Sequence, residues 1–488
     1  MNNDKHSLKR GLKNRHVQLI ALGGAIGTGL FLGSASTIQM AGPAVILSYA
    51  LGGFIAFLIM RQLGEMMAQE PVAGSFSNLA HKYWGDFPGM VSGWNYWMLY
   101  VLVGMSELTA VGVYVRFWFP GVENWQTIIV FFLIINAINL TTVRIFGELE
   151  FWFAFIKVVA IVGMILFGGY ILLTASPESP STVKNLWSHG GFFAKGGYGV
   201  FISLAVVMFS FGGLELVGIA AAETDTPQKT IPKAINQVIY RILIFYVGAL
   251  IILLSLSPWN ELGQIAKDAP WAEAMASSPF VRIFTLIGVP AAAHVLNVVI
   301  LTAALSVYNS GVYSNSRMLY GLALQGNAPR VFATVNARGV PLAALALSSA
   351  ATLVCAGLNY IMPGEALGVL MALVVAALVI NWAMISLTHL KFRREQENLG
   401  TRLIFKSPWF PLSNYVCLAF MAMILFILCL IGMGTAVALV PVWIFFLAVG
   451  YCGKRILTLG REVGLLKQTA GELRLELDAL RKKTADRE

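Results

Sequence analysis

The chain is predicted to be an all-α, polytopic membrane protein of about twelve transmembrane helices, and three observations carry that prediction. Its 488 residues are 57% hydrophobic and only 12% charged, a balance outside that of water-soluble domains. Apolar runs of about 20 residues, the length that crosses a hydrocarbon layer of ~30 Å as a helix, recur along the whole chain. Lysine and arginine collect on alternate connections between those runs.

Each run is bounded by charge or proline, and the helices begin near Val17, Pro43, Gly89, Trp125, Phe151, Gly199, Val238, Phe280, Pro341, Glu365, Phe410 and Val437. The first follows a basic segment, residues 1–16, and the second follows Ala41-Gly42. Asp86 and Pro88 precede the third run, Glu123 the fourth and Glu150 the fifth. Lys195 precedes the sixth, Lys229 and Lys233 the seventh, and Pro279 the eighth. Pro341 opens the ninth, Pro363 precedes the tenth, Lys406 and Pro408 the eleventh, and Gly432 and Gly434 the twelfth. The first run leads straight into a multi-span chain, so it reads as a first helix and not as a cleavable signal. The domain reading is a cytoplasmic segment 1–16, a transmembrane domain 17–453 and a C-terminal helix 454–488.

Basic residues set the orientation. With the N-terminus in the cytoplasm, 29 of the 34 lysines and arginines fall on the inner side. Only Arg116, Lys184, Lys195, Lys267 and Arg282 fall outside, and the reverse topology inverts that asymmetry. The net charge of +10 is therefore spread over loops on one membrane face, which accounts for it without nucleic acid and leaves contacts to anionic lipid heads open. The largest outer loops, Thr174 to Gly197 and Pro258 to Pro279, are short, and the inner connector Ser314 to Phe332 is expected to be partly helical. Cys355, Cys417, Cys429 and Cys452 lie in or beside spans without CxxC spacing and read as small buried residues.

After the last span, Leu459, Val463, Leu466, Ala470, Leu473, Leu477 and Leu480 recur at alternating steps of four and three. This heptad pattern fits either a self-associating coiled coil or a single amphipathic helix on the bilayer or the inner loops.

Two glycine-rich strings interrupt spans where an ordinary membrane helix avoids glycine. They are Gly23-Gly24-Ala25-Ile26-Gly27-Thr28-Gly29 in the first run and Phe209-Ser210-Phe211-Gly212-Gly213-Leu214-Glu215 in the sixth. Unwound backbone is tolerated at membrane depth only where it is buried or lines a cavity, so paired breaks point to a transporter's binding site. Five helices separate the two strings, and an odd number of spans per repeat makes the repeats antiparallel. The expectation is a five-plus-five inverted repeat, with repeat one at about 17–174, repeat two at about 199–386, and two accessory helices at about 409–453.

The breaks suit a zwitterion. Backbone N–H groups from Ala25 and Ile26 through Gly27, Thr28 and Gly29 stand at a helix start, where they favour a carboxylate. Carbonyls around Phe209, Ser210 and Phe211, with Gly212 and Gly213 beside them, can accept from an ammonium. Gly29 and Gly33, four apart, are also consistent with close helix packing alone. The GxxGxG spacing, with no strand–helix unit around it, is not a nucleotide fingerprint.

Further motifs give a resemblance. Gly23 to Phe31 followed by Ala41-Gly42-Pro43, Gly64-Glu65 with Pro71, Gly93-Trp94-Asn95-Tyr96-Trp97, and Glu223 followed by Pro227, Ile231-Pro232 and Ala234 resemble the bacterial amino acid permeases of the amino acid–polyamine–organocation superfamily. That resemblance runs from about Leu8 to about Lys454 and implies the leucine-transporter-like form of the inverted repeat. Phe209 to Gly218 and Leu305-Ser306-Val307-Tyr308-Asn309-Ser310 are similar to the aromatic amino acid permeases, the general aromatic and phenylalanine carriers. The resemblance implies proton-coupled uptake of phenylalanine, tyrosine and tryptophan across the inner membrane. Another neutral amino acid is the alternative substrate. Phe209, Phe211, Met105 and Tyr308 are the candidates for an apolar pocket wall.

Three ionisable residues stand inside spans, where insertion into hydrocarbon costs at least ~2.5 kcal/mol each: Glu107, Lys157 and Glu215. Lys157 is similar in position to the lysine that replaces a sodium ion in proton-dependent relatives, bridging the first and eighth helices. Snorkelling to the inner surface is the competing reading. Alternating exposure of such a lysine changes its proton affinity and offers a coupling mechanism. Glu215 is read as a proton site, a gate or an acceptor for free backbone N–H groups, and Glu107 as a coupling residue or a tie between helices. Glu65, Glu223, Lys229 and Lys233 fall in inner loops or at helix ends and read as salt-linked latches or an inner gate.

No cofactor or metal is expected, since His6, His16, His81, His189, His294 and His389 do not cluster, and no catalytic motif appears. A non-transporting amino acid sensor would be expected to carry a signalling domain beyond the short tail. A passive channel does not require a doubled, interrupted site.

Overall fold

The computed structural model describes residues 26–71, 75–216, 226–262, 278–286, 289–362 and 364–485, and every regular element among them is helical. In chain order the α-helices are α1 (Thr28–Phe31), α2 (Gly33–Ala41), α3 (Val45–Gln69), α4 (Ser75–Trp84), α5 (Asp86–Arg116), α6 (Asn124–Asn139), α7 (Val143–Thr174) and α8 (Gly196–Phe209). They continue with α9 (Pro227–Arg241), α10 (Ala249–Leu256), α11 (Pro279–Leu286), α12 (Pro290–Leu324), α13 (Leu342–Ile361), α14 (Ala366–Asn398), α15 (Leu412–Leu430) and α16 (Gly434–Ala485). A π-helical stretch, Ile242–Gly248, joins α9 to α10.

Among the described residues, nine stretches are long and apolar enough to cross a membrane, and α6 and α8 are shorter apolar helices. The chain is a multi-pass membrane protein. The stretch Gly33–Gln69 is broken at Gly42, whose φ of +62° stops α2 just before Pro43.

The chain divides into two units, Met1–Val440 and Pro441–Glu488. In the first, α5 is central, with 83% of its apolar window buried, and α12 packs along its length with α14, α13 and α6 around them. At the other extreme, only 22% of the α7 window is buried. Yet Glu150 and Lys157, two turns apart on α7, are both fully buried. Most of the helix around them is apolar and outward-facing, as lipid contact requires.

Several boundaries differ from the hydropathy reading. Helix α7 starts eight residues before Phe151, because the Thr142 hydroxyl accepts the Ile145 N–H and caps the new first turn. The seventh span starts at Pro227 rather than near Val238, as a polar amphipathic turn continues into the apolar run. What reads as one helix from Phe280 is two, α11 and α12, divided before Pro290. Cys429 and Cys452, expected to be buried, are exposed, whereas Cys355 and Cys417 are buried.

Glu65, near the end of α3, is fully buried and gathers a polar cluster. Its carboxylate accepts from Arg393 and from the Ser407 N–H, and His389 Nε2 lies 3.2 Å from it. Asn414 lies 3.0 Å from the other ring nitrogen of His389. The cluster ties α3, α14, α15 and the 399–411 connector together, a salt-linked latch in the expected sense. Lys229 and Lys233 are exposed on α9, and Glu223 lies outside the described residues.

In the second unit the helix runs unbroken to Ala485, with Leu459, Val463, Leu466, Leu473 and Leu477 exposed.

Candidate substrate and coupling site

The chain enters α1 through Gly27, in an extended conformation with φ −132° and ψ −152°. Gly23, Gly24 and Ala25 lie outside the described residues. Helix α8 ends at Phe209, and residues Ser210 to Glu215 form turns instead of helix, with Gly213 at φ +94°. The two interruptions touch. A Cβ on Gly29 would stand 2.6 Å from Ser210 Cα and 2.9 Å from Ser210 N, so only glycine allows this backbone-to-backbone approach.

Polar groups at both interruptions are engaged by buried side chains. Glu107 Oε1 accepts from the Thr28 N–H at 3.4 Å and from the Thr28 hydroxyl at 3.1 Å. Gly27 passes so close that a Cβ there would stand 2.6 Å from the same oxygen. On the other side, Tyr246 donates to the Ser210 carbonyl at 2.9 Å, and the Tyr49 and Ser210 hydroxyls lie 3.2 Å apart. The π-helical stretch positions Tyr246, and Arg241 donates to its hydroxyl at 3.0 Å. Phe211 is fully buried, with ring centroids 5.0 Å from Tyr246 and 6.1 Å from Tyr49.

Behind the first interruption lies a second cluster. Lys157 Nζ donates to the Ile26 carbonyl at 3.2 Å and to the Ser306 hydroxyl at 3.0 Å. Ser306 in turn donates to Glu150 Oε2 at 2.8 Å, while Asn309 donates to Glu150 Oε1 at 3.0 Å. Asn139 donates to Asn309 Oδ1 at 2.8 Å, which closes a chain running through α6, α12 and α7 to the residue preceding Gly27. An ammonium taken from water requires a compensating carboxylate and oxygen ligands, and this cluster supplies both.

The structure therefore brings together Ile26, Gly27, Thr28, Gly29, Glu107 and Lys157, and sets Phe209 and Ser210 against Gly29, whereas the Phe211 ring packs against Gly52, Gly53, Tyr49 and Tyr246. Glu215 lies at the far end of the second interruption, accepting from Trp382 Nε1 at 3.5 Å. Gly212 is roomier: its added Cβ would come no nearer than 3.5 Å to the Phe209 carbonyl oxygen. Phe209 borders a mainly apolar cavity that also touches Ser36, Ala205, Met371, Ala372 and Val375. Tyr308 is placed elsewhere: its ring lies against Gly104 and its hydroxyl accepts from Asn136 at 2.9 Å. Met105 is buried on α5 about 200° round the helix from Glu107.

Glu150 is the residue that hydropathy misses, because its charge marks the end of a loop on that criterion. Its spacing of seven from Lys157, which places both on one helix face, is the signal that could have found it. Snorkelling does not describe Lys157, which is fully buried about 20 Å along the helix from Val143. Among the described residues no group of histidine, cysteine, aspartate and glutamate could hold a metal ion.

Fold and site together define a polytopic membrane protein in which two interrupted segments meet beside a buried polar cluster. The chain belongs to the amino acid permease family, whose model matches residues 16–454. It is 59% identical over 448 residues to the aromatic amino acid transport protein AroP of Escherichia coli (strain K12), covering 92% of this chain and 96% of that one. The AroP of Salmonella typhimurium (strain SL1344) is 58% identical over 457 residues, covering 93% and 98%. An uncharacterized amino acid permease of Bacillus subtilis (strain 168), YtnA, is 44% identical over 459 residues, covering 93% and 96%.

Proposed function

We propose that this permease is a proton-coupled symporter that imports phenylalanine, tyrosine and tryptophan across the bacterial inner membrane by alternating access. The observation that carries the reading is the contact between the two interruptions at Gly29 and Ser210, beside the buried Lys157 cluster. The aromatic substrate class is supported by the names and the 58–59% identity of the AroP relatives.

The substrate carboxylate is read onto the N–H groups of Gly27, Thr28 and Gly29, where it competes with Glu107 for Thr28. The ammonium is read onto carbonyls at Phe209 to Phe211; those of Phe209 and Ser210 keep a lone pair beyond the bond each accepts, from the Gly212 N–H and the Tyr246 hydroxyl. The aromatic side chain is read toward Phe209, whose ring lies against Gly29. Lys157 acts as a built-in cation whose hold on the Ile26 carbonyl couples protonation to the position of α1. Glu107 and Glu215 complete the set of candidate proton carriers.

The frame for this cycle is a twelve-span, five-plus-five inverted repeat, with repeats at about 17–174 and 199–386 and accessory helices at about 409–453. Both termini, 1–16 and 454–488, are cytoplasmic, in line with the inner bias of lysine and arginine.

The deciding experiment is uptake of labelled phenylalanine into proteoliposomes, with and without an imposed inward proton gradient and with tyrosine, tryptophan and leucine as competitors. Gradient-driven accumulation blocked by the aromatic competitors alone is expected. No accumulation under the gradient would refute symport, and equal block by leucine would refute the aromatic assignment.

A further inference from the structure

We propose that the C-terminal helix pairs two copies of the chain through a parallel, two-stranded coiled coil along Leu459 to Leu480. The family match ends at residue 454, so this segment is additional to the transport machinery and its role is independent of which substrate is carried.

The steps of four and three assign the register. Val463, Ala470 and Leu477 occupy the a positions, and Leu459, Leu466, Leu473 and Leu480 the d positions. Of the a positions only Val463 is β-branched, and with leucine at every d it favours two strands. The flanking charges supply an independent argument. Glu462 and Glu476 stand at g, while Lys467, Arg474 and Arg481 stand at e. In a parallel pair each g residue meets the e residue five positions on in the other strand, which matches Glu462 with Lys467 and Glu476 with Arg481. In an antiparallel pair e meets e and g meets g, which would set base against base and acid against acid. Two copies inserted in the same sense in one membrane present their tails in parallel.

Helix continuity argues against a stripe lying flat on lipid. The apolar run ends at Gly453, before Lys454 and Arg455, and the same helix continues to Ala485, about 48 Å further. A helix leaving the bilayer unbroken cannot lie along its surface, so the exposed Leu459, Val463, Leu466, Leu473 and Leu477 need a partner out in water. Three heptads are marginal for an isolated peptide. Confinement of both helices to one membrane raises their effective concentration and offsets that weakness.

The test uses the full chain in membranes, with Cys429 and Cys452 changed to serine. Copper-phenanthroline oxidation of Leu466→Cys or Leu473→Cys, both at d, should give a disulfide-linked dimer several-fold more abundantly than Gln468→Cys, on the opposite face. Equal cross-linking at Leu466 and Gln468, or none at the d positions, overturns the proposal. Glu462→Lys with Glu476→Lys should abolish the seam cross-link, and adding Lys467→Glu with Arg481→Glu should restore it. Indifference to charge reversal also overturns it. Amino acid uptake by each variant reports that the chain is folded.

Discussion

Gly29→Ala tests whether the contact of the two interruptions governs transport. The new Cβ would stand 2.6 Å from Ser210 Cα and 2.9 Å from Ser210 N and Phe209 Cδ1. Carbon contacts are comfortable near 3.5–4.0 Å, so the interruptions must part by about 1 Å, and backbone cannot rotate aside as a side chain can. Overpacking of this kind costs about 1–3 kcal/mol, and the main-chain obstacle places Gly29 at the upper end. Alanine regains at most about 1 kcal/mol of helix propensity. The net, about 2 kcal/mol, corresponds to roughly a 30-fold loss in occupancy of the closed arrangement. Gly33→Ala is the internal control, one turn along on the same face, where the new Cβ meets only the mobile end of Met371 at 3.4 Å. Initial rates of labelled phenylalanine uptake, normalised to protein in the membrane, should fall about ten- to fifty-fold for Gly29→Ala and stay within about threefold of the parent for Gly33→Ala. Parental rates for Gly29→Ala at normal abundance, or equal damage from Gly33→Ala, would show that these glycines serve helix packing alone.

Lys157→Gln should abolish proton-driven accumulation while sparing substrate exchange; full concentrative uptake by that variant refutes its coupling role. Glu150→Gln, which removes the carboxylate that Ser306 and Asn309 hold near Lys157, should weaken accumulation in the same assay, and unchanged accumulation excludes it from coupling. If Glu215 titrates during the cycle, Glu215→Gln should alter the pH dependence of uptake, and a profile superimposable on the parent's rules this out. Glu65→Ala strips Arg393 and His389 of a buried carboxylate and should cost about 3–5 kcal/mol, read as a lowered unfolding temperature in detergent. An unchanged melting curve would contradict the latch described for α3, α14 and α15.

Much of the bundle is legible in the sequence because hydrophobic length is a direct readout of bilayer thickness. Gly27 and Gly29 stand out because glycine weakens a helix, and a run of it inside an apolar span signals a break or a close backbone approach. What stays hidden depends on helix phase and on polar extensions. Hydropathy ends the fifth helix at the first charged residues, so it turns Glu150 into a loop residue when Thr142 caps a helix that reaches past it. Along α12, successive residues point to different neighbours: Ser306 to Lys157, Val307 to Gly27, Tyr308 to Asn136 and Asn309 to Glu150. A sequence shows that Tyr308 is aromatic and close to the site, but not that a turn of about 100° carries it off the face that Val307 presents. The tail shows the reverse: its spacing is clear in the sequence, and the length of unbroken helix supplies the argument for what that spacing serves.

The hydrogen-bonded chain from Asn139 through Asn309, Glu150 and Ser306 to Lys157 and the Ile26 carbonyl also bears on how this protein tolerates change. Every link is 3.2 Å or shorter and each interior residue serves two partners, so no member can be altered without re-partnering the next. Substitutions along it will be epistatic: the effect of a pair will depart from the sum of its singles, because residues in one network do not contribute independently. A residue grafted here singly from a related permease can therefore fail although it works in its own background, and succeed once its neighbour in the chain is transferred with it.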